Sequence, residues 1–233
     1  MMGSYQRGSA HQERGITGLE TAIILIAFVV VASVFAFTVL STGIFASERS
    51  KETVFAGIEE AQSTLEPRGS LIAYTGKIDG STSTIFKLTF LVSNAVAGEP
   101  VDLTPGYTAD DSGDDPDVAS ANKQVTVISY RDKDQFLADV PWTISFPGND
   151  DGDFLLENNE KAELTIWLLT RDNTVTDVNA ANSVKVLTNG IASMANILAV
   201  SDEFTIEVKP SSGAVLNLRR NLPSQFDTVI DLN

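Results

Sequence analysis

The stretch NDDGDFLLENNE sets oxygen ligands at tight spacing. Asn149, Asp151 and Asp153 fall at i, i+2 and i+4, and Glu160 at i+11, which are positions 1, 3, 5 and 12 of a calcium loop. Only hard oxygen ligands are on offer, so the cation would be calcium or magnesium. The sixth position of such a loop needs glycine for its turn, and here it is Phe154. Two readings stand open: a loop between strands that holds calcium, or an acidic turn solvated by water. Other chemistry is closed off by composition. The chain has no cysteine and a single histidine, His11, which removes thiolate sites and any Ser-His-Asp or histidine–metal constellation. It has no G-x-S-x-G, no P-loop and no dinucleotide fingerprint, so the expectation is no enzyme and no required cofactor. Sixteen basic residues against 31 acidic ones give a net charge of −15, opposite in sign to a nucleic-acid footprint.

The other carboxylate that asks for an explanation is Glu20, at the mouth of a long apolar run. From Thr21 to Ser47 there are 27 consecutive residues without a charge, and about 20 suffice to span a bilayer as a helix. A secretory signal has an apolar region of only about 7–15 residues closed by a small-residue cleavage site, which this run does not match. Arg7 and Arg14 precede it, which favours a cytoplasmic N-terminus and places everything after Ser47 outside the cell. Beyond the run, Val54, Ile58, Ala61 and Leu65 continue an apolar stripe at helical spacing, and Pro67 is expected to end the helix.

Arg14-Gly15 followed by ITGLETAIILIAFVVVASVFAF resembles the N-terminus of archaellins, the archaeal flagellins, which share a class III signal and apolar helix with type IV pilins. GEPVDLT (98–104), NDDGDFLLENNEKAEL (149–164) and FTIEVKPSSGAVLNLRRNLPSQFDTVIDLN (204–233) also resemble archaellin segments. The resemblance implies that a prepilin-type peptidase cuts between Gly15 and Ile16, with Arg14 just before the cut. Glu20 would then be the fifth residue of the mature chain, where type IV pilins carry a glutamate proposed to meet the N-terminal amine of a neighbour. A glutamate solvated by headgroups is the other reading. Gly18 admits close helix approach or flexibility at a frayed end. In the assembled filament Ile23, Ile24, Leu25, Phe28, Val30, Val31, Phe35 and Phe37 would pack in a bundle of identical helices. No N-x-S/T sequon is present, a departure from the N-glycosylation common in the family.

After Pro67 the pattern changes to period two. Phe86, Leu88, Phe90 and Val92 alternate with Lys87, Thr89 and Leu91, and 164–168 and 204–208 do the same. Further strands are expected at 71–78, 124–130, 142–146, 183–188 and 214–219. Seven to nine short strands broken by Gly, Pro, Asn and Asp predict an antiparallel sandwich. Trp142 and Trp167 read as packing residues, and the acidic run ADDSGDDPD (109–117) as an exposed loop.

The expected fold is therefore α+β: a long N-terminal hydrophobic helix followed by an all-β, immunoglobulin-like sandwich. Residues 1–15 form a cleaved leader, 16–66 a helix that is transmembrane before assembly, and 67–233 the outer domain. The resemblance implies the structural subunit of a swimming filament at the archaeal cell surface, polymerising with itself and with paralogous archaellins. Its further partners would be the peptidase, a membrane assembly platform, a motor ATPase and, before assembly, the membrane. The alternatives are an adhesion pilin of the same superfamily and a signal-anchored surface binding protein.

Overall fold

The computed structural model describes residues 13–62, 64–96, 99–109, 116–118, 123–172 and 174–233, with only the backbone described for 13–17, 59–62 and 117–118. Two compact units divide at Ala56 and Gly57. In its described residues the first is helical. A single helix, α1, runs from Glu13 to Gln62, 50 residues, roughly 75 Å at about 1.5 Å per residue. No proline interrupts it. It stops before Pro67, which was expected to end it. Leu65, read as the last member of the apolar stripe, instead opens a strand and is buried. The segment Leu65–Arg68 pairs with Asn94–Leu91, so a core slot for Leu65 competes with the last helical turn and wins.

Fifteen strands follow among the described residues: β1 (Leu65–Ile78), β2 (Thr82–Asn94), β3 (Val101–Asp102), β4 (Tyr107–Ala109), β5 (Pro116–Val118), β6 (Val127–Arg131), β7 (Phe136–Leu137), β8 (Trp142–Ser145), β9 (Leu155–Leu156), β10 (Ala162–Trp167), β11 (Thr170–Arg171), β12 (Val184–Lys185), β13 (Glu203–Lys209), β14 (Leu216–Asn221) and β15 (Val229–Leu232). A five-stranded antiparallel sheet has the order β15-β1-β2-β10-β8 and a four-stranded one β14-β13-β6-β7. Short ribbons β3–β9, β4–β5 and β11–β12 complete the domain. The β1–β2 hairpin turns where Asp79 and Gly80 take left-handed φ of 47° and 84°, a conformation cheap for Gly and tolerated by Asp.

The alternation read from the sequence places the core. Phe86, Leu88, Phe90 and Val92 of β2 are buried, as are Phe204, Ile206 and Val208 of β13, and they join one hydrophobic cluster with Ile128, Tyr130, Leu164 and Ile166. That shared cluster is what makes the two sheets a sandwich of the immunoglobulin-like kind. Tyr130 stacks on Phe204 with centroids 6.2 Å apart, and its hydroxyl donates to Asp132 Oδ2 at 2.8 Å. Burial first, then the Asp132 charge, push the phenol well above its ordinary pKa, so it remains a donor. Trp142 and Trp167 are both buried, and the Trp167 indole donates to Thr143 Oγ1 at 3.1 Å.

Candidate assembly surface

A helix of a soluble domain buries one stripe and shows water the rest. Among its described residues, α1 buries none of its large apolar side chains. From Leu19 to Phe45 these are between 52% and 73% exposed, and they include Ile23, Ile24, Leu25, Phe28, Val30, Val31, Phe35 and Phe37. Each would gain about 1.5–3 kcal/mol on leaving water. Among the described residues this one helix is long and apolar enough to cross a membrane.

Four of the six hydroxyl side chains in the run are prepared for a dry environment. Thr21 donates to the Gly18 carbonyl at 3.0 Å, Ser33 to Val30 at 2.8 Å, Thr38 to Val34 at 2.8 Å and Thr42 to Thr38 at 2.8 Å. A hydroxyl bonded to its own helix three or four residues back does not need water. The sequence reading overlooked these bonds, although the presence of Ser and Thr inside a charge-free helix was the signal. A side chain at Gly18 would meet nothing within 4 Å, so this chain's own packing does not require glycine there. Glu20 is exposed. Arg14, Gly15 and Ile16 belong to the first turn of α1. Residues 1–12 of the expected leader, His11 included, lie outside the described residues, as do 110–115 of the acidic run.

The other candidate site is the loop 149–160. Its acids serve its own backbone. Asp150 Oδ1 accepts from the Gly152 amide at 2.8 Å, Asp151 Oδ1 from Asp153 at 3.3 Å and Asp153 Oδ1 from Leu155 at 2.7 Å. Glu160 Oε2 accepts from the Glu157 amide at 3.0 Å, while Asn149 is exposed. These are turns in which an Asp side chain stands in for a backbone acceptor. Among the described residues no three His, Cys, Asp or Glu side chains gather closely enough to hold a metal ion, so Asp151, Asp153 and Glu160 do not converge on one point.

Comparison with known proteins assigns the chain. The sequence model of archaeal-type flagellin matches residues 15–220. A probable flagellin 1 of Archaeoglobus fulgidus is 33% identical over 224 residues, covering 94% of this chain and 95% of the relative. A probable flagellin 1 of Aeropyrum pernix is 30% identical over 232 residues, covering 93% and 96%. In fold, the chain is similar to the archaeal flagellum of Methanospirillum hungatei strain JF1, with a TM-score of 0.52 and 24% identity over 93% of this chain and 99% of that one. An unpartnered apolar helix with self-satisfied hydroxyls, an antiparallel sandwich and end-to-end similarity to flagellins lead to one assignment: the chain belongs to the archaeal-type flagellin family.

Proposed function

We propose that the chain is a structural subunit of an archaeal swimming filament at the cell surface, a polymer held together by α1 and not a catalyst. The observation that carries this reading is the helix: 27 consecutive charge-free residues whose large apolar side chains are each more than half exposed. Water cannot be their resting environment, since their combined exposure would cost tens of kcal/mol at about 1.5–3 kcal/mol each. Lipid serves before assembly. Copies of the same helix serve afterwards, when aliphatic neighbours replace acyl chains and close packing supplies the gain. Contacts of one copy on the next that do not close a ring generate an open helical polymer.

The steps around assembly are those that the resemblance to archaellins implies. The precursor sits in the membrane with Arg7 and Arg14 inside and the sandwich outside. A prepilin-type peptidase cuts between Gly15 and Ile16. The first turn of α1 runs through that bond, so the peptidase must unwind it, and Gly15 lowers the cost by about 1 kcal/mol relative to alanine. Glu20 then faces the new amine of a neighbouring copy. An assembly platform and motor ATPase in the membrane supply extrusion and torque, and paralogous archaellins can share the polymer.

Electron microscopy of appendages sheared from cells, with mass spectrometry of the subunit, tests this. Filaments built of a chain beginning at Ile16, and loss of swimming on deletion of the gene, are expected. A surface protein that keeps its leader and stays monomeric in the membrane would overturn the reading. Cells lacking the gene that swim normally but no longer adhere would assign the filament to attachment.

A further inference from the structure

The charge-free run of α1 is followed by four charged residues within five positions, Glu48, Arg49, Lys51 and Glu52, with Ser50 between the two bases. All four are exposed, and none takes part in an ion pair or side-chain hydrogen bond within the described chain. This is unusual for a helix that offers Glu48 to Lys51 and Arg49 to Glu52 at i,i+3, a spacing that readily pairs. Apolar surface flanks the group on both sides: Ile44 and Phe45 before it, Val54, Phe55 and Ile58 after it, at 45% to 67% exposure. A bundle that covers those residues must also desolvate the charges between them.

A helix turns about 100° per residue. Glu48 and Glu52 therefore share one face with Ser41, Ile44, Phe45 and Phe55, at steps of three and four. Arg49 and Lys51 fall to opposite sides of that face. Each copy thus presents acids on the apolar stripe and a base on either flank. A desolvated charge left without a partner costs several kcal/mol, and these four are not paired with one another on their own helix.

We propose that residues 48–52 form a belt of ion pairs between copies, in which Glu48 and Glu52 of one helix meet Arg49 or Lys51 of helices on its two sides. The partner is a second copy of this chain, because the belt is self-complementary in sign and number. The inference rests on the filament reading above and adds to it a contact that fixes the axial register of neighbouring helices. Apolar packing alone tolerates sliding by a turn. A belt with two bases between two acids does not, since a slip sets like charges together or strands them among Phe45 and Phe55.

Charge exchange between full-length chains tests it, with the wild-type chain in the same host as reference. Glu48→Lys with Glu52→Lys, and separately Arg49→Glu with Lys51→Glu, are expected to be processed and membrane-inserted like wild type. Each alone should lose filament yield by about tenfold or more, as expected when like charges face each other in a desolvated contact. Co-expression of the two should restore mixed filaments containing both chains in equal amount. Wild-type yield from either exchanged chain alone, or no recovery on co-expression of two inserted and processed chains, would overturn the belt while leaving the filament reading intact. Failure of the wild-type chain itself to polymerise would instead remove the filament reading on which the belt depends.

Discussion

At the scale of single residues, the acidic loop and one glycine carry opposite lessons about spacing. Oxygens at i, i+2 and i+4 satisfy a calcium loop, and they equally satisfy side chains that cap the amide two residues on. Asp151 and Asp153 of that set are engaged in the second way, as is their neighbour Asp150. The spacing was legible in the sequence; the choice was not, because both uses need the same residue types. If the capping is what matters, adding EDTA to the full-length chain should leave its melting temperature unchanged. Asp153→Ala should then cost about 1 kcal/mol, the net worth of one hydrogen bond. A calcium-dependent rise in melting temperature that Asp153→Ala abolishes would establish the loop as a cation site. Gly76 is the converse case, invisible in the sequence. It is buried in β1, and a Cβ there would overlap Val184 Cγ1 and touch Ser183 Oγ, the hydroxyl that accepts from the Lys77 amide at 2.9 Å. Gly76→Ala should destabilise the domain by about 1–3 kcal/mol, as overpacking does, read as a shift in the urea midpoint with unchanged slope. No shift would mean that β12 yields freely.

At the scale of elements, what could be read early was whatever its own residues decide. β2 and β13 alternate because one face of each enters the core, and α1 is unmistakable because nothing charged interrupts it for 27 residues. What escaped was whatever a partner decides. β15 is four residues, pairing with β1 through Leu71↔Leu232 and Tyr74↔Val229, too short for a period to emerge. The ribbon β3–β9 is two residues a side. The end of α1 belongs with them, since β2 claims Leu65 before Pro67 can act. The same distinction predicts how α1 responds to substitution. Val31→Asp puts a charge near the middle of the run, at a cost of roughly 3 kcal/mol for a bilayer centre. It should sharply reduce the fraction of chain integrated in membranes, measured by carbonate extraction. Thr42→Val, nearer the far end of the run, removes a hydroxyl already satisfied by the Thr38 carbonyl and should leave integration unchanged. Equal loss in both would mean that these hydroxyls are needed for something other than their own helix.

At the scale of the whole molecule, the charges divide by where they end up. The net charge of −15 is concentrated outside the apolar run, so a polymer of identical copies sets like-charged domains close together. Repulsion between exposed charges is screened over about 10 Å at 0.1 M salt but over about 30 Å at 0.01 M. Ion pairs enclosed among helices are screened far less. Ionic strength therefore acts on the outer surface and hardly on the helical core. Filaments should become more heat-stable as sodium chloride rises from about 0.01 M to 0.1 M, as the screening length shrinks below the size of a domain. The check is the temperature at which light scattering from purified filaments collapses. A dissociation temperature that falls over this range would mean that attractive pairs between outer domains, not self-repulsion, dominate the surface, and the acidic excess would then need another role than keeping filaments apart.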